Sequence, residues 1–266
     1  MLLTTLPLVA ALSLLPGQAD GLTLTDARVT YGVLGPTRDN TKFLPGDSLF
    51  VTFTVNGITT DPSGKVQYNV VTEVTDATGK SWFKSQPRDL DVTLALGGGQ
   101  MPAFAQVAIG QQQPAGMYTL KVTVTDLVNK KSQSLEQKFE VLKADFGLVR
   151  LSGSADSEGQ VPCGLLSAGH SMWINGAIVG FQRGAGAQPN VTVELAITDA
   201  DGKPTTTKPL GGTINKDVPA KDTELPIQFH VLLNRPGKFT LKLTATDTLS
   251  NKPSSQSFPI TVNPVK

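Results

Sequence analysis

Apolar and polar residues alternate along much of this chain, most cleanly from Tyr118 to Thr125. There Tyr118, Leu120, Val122 and Val124 are separated by Thr119, Lys121 and Thr123, a period of two that sends one set of side chains to one face of a strand. Phe239, Leu241, Leu243 and Ala245 repeat the pattern. Ile227, Phe229, Val231 and Leu233 are expected to face a core with Gln228 and His230 outward, and Ala103, Ala105, Val107 and Ile109 to do the same with Gln106 outward. Read this way, strands are expected at residues 22–31, 49–56, 66–75, 81–85, 91–96, 103–109, 117–125 and 135–142, then at 146–151, 172–181, 191–198, 205–209, 227–233, 238–246 and 257–262. Gly, Pro, Asn and Asp clusters separate them, which points to antiparallel sandwiches and not to alternating βα units.

The two groups of strands are one pattern written twice. Gly46-Asp47-Ser48-Leu49 matches Gly169-His170-Ser171-Met172, and Thr75-Asp76-Ala77-Thr78-Gly79-Lys80 matches Thr198-Asp199-Ala200-Asp201-Gly202-Lys203, both at an offset of 123. Gly116-Met117-Tyr118-Thr119-Leu120 meets Gly237-Lys238-Phe239-Thr240-Leu241 at 121. Any residue proposed for function can therefore be compared with its counterpart, which separates what the fold requires from what one copy adds. Almost no linker lies between the copies at Leu142-Lys143-Ala144-Asp145-Phe146, so limited hinge motion is expected.

The 266 residues suffice for two ordinary domains that need no disulfide or metal for stability. With 23 Lys plus Arg against 22 Asp plus Glu and no long run of either sign, the chain lacks the concentrated basic face that nucleic-acid binding uses. Residues 1–15 are uncharged and mostly apolar, and Pro16-Gly17-Gln18-Ala19 follows, which reads as a secretory signal peptide cleaved after Ala19, although no Lys or Arg follows Met1. No later stretch is apolar enough to cross a membrane as a helix. The single cysteine, Cys163, has no partner for an internal disulfide, and its counterpart falls near Asn40, so the fold does not require it.

Each copy resembles an immunoglobulin-like or fibronectin III-like β-sandwich of the kind repeated on bacterial surface proteins. Gly116-Met117-Tyr118-Thr119-Leu120 is similar to the approach to strand F in such folds, which implies a tyrosine corner at Tyr118; Phe239 lacks the hydroxyl for one. Pro45-Gly46-Asp47, Val74-Thr75-Asp76 with Gly79-Lys80, Pro114-Ala115-Gly116-Met117-Tyr118 and Phe139-Glu140-Val141 also resemble the macroglobulin-type sandwich domain. The thioester of that family needs Cys-Gly-Glu-Gln, which Cys163-Gly164-Leu165-Leu166 does not supply.

Candidate chemistry is sparse. Gly169-His170-Ser171-Met172 begins like a hydrolase nucleophile elbow, but Trp173 replaces the last Gly and no helix follows. Two histidines and one cysteine do not assemble a zinc site alone. Asp199 does not open a calcium loop, because position 210 is Leu, and Asp145 at the junction is the one place where an interdomain calcium ion is conceivable. Trp173 aligns with Phe50 and is expected in the core, whereas Trp82 aligns with Thr205 and is special to the first copy. Trp82, with Phe83 and Lys84 on a short edge strand, is the best contact candidate, since Trp is enriched at binding hot spots. The expectation is an all-β chain. Residues 1–19 form a signal peptide, and 20–143 and 144–266 form two tandem antiparallel immunoglobulin-like β-sandwiches. The protein is periplasmic, cell-surface or secreted and needs no cofactor or metal. It works as a non-catalytic structural or binding module for another envelope or extracellular protein, or alternatively for polysaccharide through Trp82.

Overall fold

A computed structural model describes residues 21–265. The expected signal peptide therefore lies outside the described residues. Seventeen strands and one 3-10 turn at Ala185–Ala187 make up the regular structure, and no α-helix occurs among the described residues.

In the first half, β1 (Thr23–Thr30), β3 (Ser48–Asn56) and β7 (Gln100–Ala108) form one sheet in that order. The facing sheet runs β2 (Lys42–Phe43), β9 (Ser132–Val141), β8 (Gly116–Asp126), β4 (Lys65–Asp76) and β5 (Ser81–Lys84), with β6 (Arg88–Thr93) pairing the other end of β4. The second half repeats this plan. Its smaller sheet is β10 (Gly147–Ser154), β12 (Ser171–Val179) and β15 (Glu224–Leu232), and its larger one is β11 (Leu166–Ser167), β17 (Lys252–Asn263), β16 (Gly237–Asp247), β13 (Val191–Asp199) and β14 (Leu210–Ile214). All pairings are antiparallel except β2 with β9 and β11 with β17. The repeat holds at the level of register: Asp76 sits opposite Tyr118 on β4 and β8, and Asp199 opposite Phe239 on β13 and β16.

Period-two patterning becomes burial as anticipated. Leu120, Val122 and Val124 on β8 and Leu241, Leu243 and Ala245 on β16 are sealed from solvent. Buried apolar residues fall into one large cluster per half, with Phe43 and Phe139 edge to face in the first at 5.9 Å. Tyr31, from the first half, belongs to the second cluster and packs on Phe258 at 5.2 Å. The first strand of each half carries a register shift, between Thr25 and Arg28 in β1 and between Val149 and Ser152 in β10. Asp26 (φ 56°) and Arg150 (φ 53°) take the left-handed backbone there.

Three expectations need correction. Residues 205–209 are not a strand: Pro204 offers no amide, and both the N–H and the hydroxyl of Thr205 donate to the Ile197 carbonyl, which ends the ladder. The strand forms one step later, as β14, where Gly211 runs so close to β13 that a Cβ would lie 2.1 Å from the Val193 carbonyl oxygen. The strand expected at 91–96 is instead Arg88–Thr93, because Leu94 N–H turns to the Gly64 carbonyl and Leu96 swings fully into solvent. Trp173 is not a core residue. It lies between the inward-facing Met172 and Ile174, so the pleat carries it to the outer face, where it stacks on His230 at 4.5 Å.

Candidate functional site

β5 and β7 are the edge strands of the two sheets in the first half, and between them the sandwich stays open. The opening is a groove of about 440 Å³ lined by Val74, Trp82, Phe83, Gln106 to Ile109, Gln113, Tyr118, Phe139 and Val141. Its floor is core: Tyr118, Phe139 and Val141 are buried. Its lip is apolar and exposed, with Trp82 at 40% and Phe83 at 46% of full exposure. No lining residue carries a charge.

Local hydrogen bonds fix the lip. The hairpin between β4 and β5 turns on Asp76, whose carboxylate accepts from the Thr78 hydroxyl (2.6 Å), the Thr78 and Lys80 amides and the Trp82 indole N–H (2.9 Å). The Thr78 hydroxyl first, and then the Trp82 N–H, hold this carboxyl down to about 2. Lys80 Nζ lies 4.8 Å from the indole centroid and the Tyr118 ring meets the indole edge to face at 6.2 Å, so Trp82 is held in one orientation. The Tyr118 hydroxyl donates to the Pro114 carbonyl at 2.9 Å, four residues back, the corner that the resemblance implied. Of the three residues singled out from the sequence, Trp82 and Phe83 line the groove. Lys84 does not; it pairs with Glu73 on the outer face at 3.3 Å.

The second half has the same opening, about 300 Å³, lined by Ile197, Thr205, Thr206, His230 to Arg235, Phe239, Ile260 and Val262 among others. Here Thr205 and Thr206 stand where Trp82 and Phe83 stand, and the Arg235 guanidinium lies over the Phe239 ring at 4.9 Å.

A polar network joins the halves next to the first groove. Asp47, 2% exposed, accepts from Arg38 Nη1 (2.9 Å), its neighbour Ser48 N–H (2.8 Å) and, across the junction, Arg150 N–H (2.7 Å). Arg38 also donates from Nη2 to the Lys42 carbonyl and rests over Phe43 at 4.1 Å. Arg150 also binds the Gly46 carbonyl and forms an ion pair with Glu224, which accepts from Gln111 Nε2 at 2.7 Å. Arg150 first, helped by Gln111, holds the Glu224 carboxyl below its ordinary range. Gly180 (φ 69°) closes the seam, since a Cβ there would sit 2.3 Å from the Asp145 carbonyl oxygen.

The remaining candidates are dispersed. Ser171 Oγ lies 2.8 Å from His230 Nε2 and not on His170, and among the described residues no carboxylate bonds to His230. Asp145 is taken by Lys252 Nζ at 2.5 Å and by the Phe146 amide. Among the described residues no group of three or more His, Cys, Asp or Glu is placed to hold a metal ion. Cys163 is half-buried, and burial raises its thiol. Asp76 and Asp126 lie at opposite ends of the β4–β8 pair, as antiparallel neighbours require. No described helix is long and apolar enough to cross a membrane.

Sequence reasoning missed Gln106 to Ile109, Gln113 and the junction network, because each belongs to its site only through contacts distant in the chain. One sequence signal does point to the groove: residues 92–120 contain no Asp, Glu, Lys, Arg or His.

No protein-family model matches the chain, and no curated protein matches it. Among solved structures, Escherichia coli alpha-2-macroglobulin activated by porcine elastase is 13% identical over 93% of this chain and 22% of that chain, with a TM-score of 0.31. The C-terminal domain of the Streptococcus pyogenes antigen I/II-family protein AspA is 11% identical over 91% of this chain and 99% of that chain, with a TM-score of 0.30. A family 123 glycoside hydrolase from Clostridium perfringens is 15% identical over 46% of this chain and 27% of that chain, with a TM-score of 0.32. The chain thus spans about a quarter of the length of the macroglobulin and of the hydrolase. The macroglobulin and AspA structures are, like this chain, rich in β-structure.

Proposed function

We propose that this chain is an exported, non-catalytic recognition module built from two tandem immunoglobulin-like β-sandwich domains, 20–143 and 144–266. It acts in the periplasm, at the cell surface or outside the cell, and its partner is another envelope or extracellular protein. The observation that carries this reading is the groove of the first half, where exposed Trp82 and Phe83 stand over an uncharged, core-floored opening. Aromatic side chains held rigidly beside an apolar recess lose little entropy when a partner covers them, which is how hot spots work. The duplicated register and the paired core clusters support the two-domain reading, and the Tyr118 corner supports the immunoglobulin-like one. Polysaccharide would need an open aromatic face on which a sugar ring can stack, and Lys80 shares that face of Trp82.

The test is capture from the source organism's envelope extract with purified residues 20–266 as bait, comparing wild type with Trp82→Ala, Phe83→Ala and, at the second groove, Thr206→Ala. A protein retained by wild type and Thr206→Ala and lost with either aromatic variant is the expected result. Identical captures from all four baits would sink the proposal.

A further inference from the structure

Two features of the first groove reach beyond its apolar lining. The first is backbone. Gln106 and Ala108 point their side chains to the outer face of the sheet yet line the groove, so what they present to it is the edge of the chain. Ile109 exchanges hydrogen bonds with Gly46 and Asp47 on the β3 side. Alternation along an antiparallel strand then sends the N–H and C=O groups of Ala108, Gln106 and Phe104 away from β3, to the side where β7 has no neighbour. The second feature is charge. Sheet edges are ordinarily blunted by Lys, by other charges or by proline. β7 has only Pro102, at its far end, and it lies within the uncharged stretch 92–120. The matching edge of the second half is guarded: β15 has His230 in the pairing region and ends beside Arg235 at the groove mouth.

An unblunted edge beside an apolar trough has the requirements of a strand acceptor. We propose that the first groove takes an extended, uncharged segment of a partner protein, which adds to β7 as a further strand and places alternate apolar side chains against Trp82, Phe83, Val107, Tyr118 and Phe139. A charged side chain on that inward phase would meet no counter-charge, so the lining selects a neutral strand. This rests on the recognition role proposed above and specifies what is recognised.

The experiment selects phage-displayed random nonapeptides on wild-type residues 20–266 after depletion on the Trp82→Ala protein, then measures the winning peptides by tryptophan fluorescence. The expected winners carry apolar residues at every second position and no charge between them. N-methylating alternate amides should weaken binding tenfold or more in one phase and little in the other, because only one set of amides faces β7. Gln106→Pro, which removes an edge donor, and Ala108→Lys, which blunts the edge, should weaken it similarly. Winners that ignore the phase of methylation and both β7 variants overturn strand addition while leaving the groove as a recognition site; an empty selection overturns strand addition too. Envelope capture indifferent to Trp82→Ala removes the recognition reading itself. Sedimentation of the wild type alone completes the test: a dimer abolished by Ala108→Lys assigns the edge to a second copy and overturns the foreign segment.

Discussion

Tyr118 and Phe239 hold the same position in the two halves, and what surrounds them shows how two halves of like register differ. Around Tyr118 the hydroxyl is tied to Pro114, Trp82 stands edge to face above it, and the neighbouring edge strand is uncharged. Around Phe239 there is no hydroxyl to satisfy, threonines replace the aromatic lip, and Arg235 covers the ring. The scaffolds share register residue by residue, so the contrast arises from a few side chains at an opening that both halves possess. One half keeps it neutral, and the other sets a charge at its mouth.

The sharpest break in the symmetry is Asp47 against His170, at equivalent positions. Asp47→Ala leaves Arg38 buried without its carboxylate and frees the Arg150 amide, so a loss of about 3–5 kcal/mol is expected. His170 is exposed, and His170→Ala should stay within about 0.5 kcal/mol. Urea unfolding of both variants checks the pair, and equal losses would deny the junction its role.

Where the halves agree, losses should agree. Asp126 and Asp247 are sealed from solvent and close the loops after β8 and β16, accepting amides from Thr59, Val128 and Asn129 in one half and from Gln182 and Leu249 in the other. Burial pushes each carboxyl up, but these hydrogen bonds, joined at Asp247 by the Ser250 hydroxyl, together outweigh it and hold both below the ordinary carboxylate range. Either Asp→Ala change should cost about 2–3 kcal/mol. A depressed carboxyl stabilises the fold fully above the unfolded value and progressively less as pH falls through the folded one. Melting temperature should therefore hold from neutrality to about pH 5 and decline below pH 4. The decline should be shallower in Asp126→Asn and Asp247→Asn.

Tyr118→Phe makes the first half resemble the second, and loss of one hydrogen bond should cost about 1 kcal/mol by urea unfolding. The smallest effect is expected at Lys84, whose pairing with Glu73 is solvated. Lys84→Ala should shift stability by about 0.5 kcal/mol or less and leave partner capture unchanged, which would separate it from Trp82 and Phe83.

Most strands and the Tyr118 corner are legible because each is a local periodicity or a motif written contiguously. Trp173 reads as core because its counterpart Phe50 is also apolar, but the pleat puts both on the outer face. β14 was missed because Gly211-Gly212 reads as a turn unless the closeness of β13 is known. The groove needed the fold, since β5 and β7 become neighbours only when two sheets are stacked. Trp82 and Phe83 are legible nonetheless, because Thr205 and Thr206 hold their positions in the second half.

The left-handed residue in the first strand of each half has a consequence for how the two halves are held together. Asp26 and Arg150 mark the same kink at the same place in the first ladder of each half. In the first copy that residue is exposed; in the second its amide is the donor that Asp47 catches across the seam. The alignment of one half on the next is thus written twice, in the main chain at position 150 and in the Arg150 guanidinium that reaches the Gly46 carbonyl. A substitution at position 150 should therefore loosen the seam without unfastening it as long as the kink persists, whereas loss of the Asp47 carboxylate removes the acceptor of both Arg38 and the Arg150 amide.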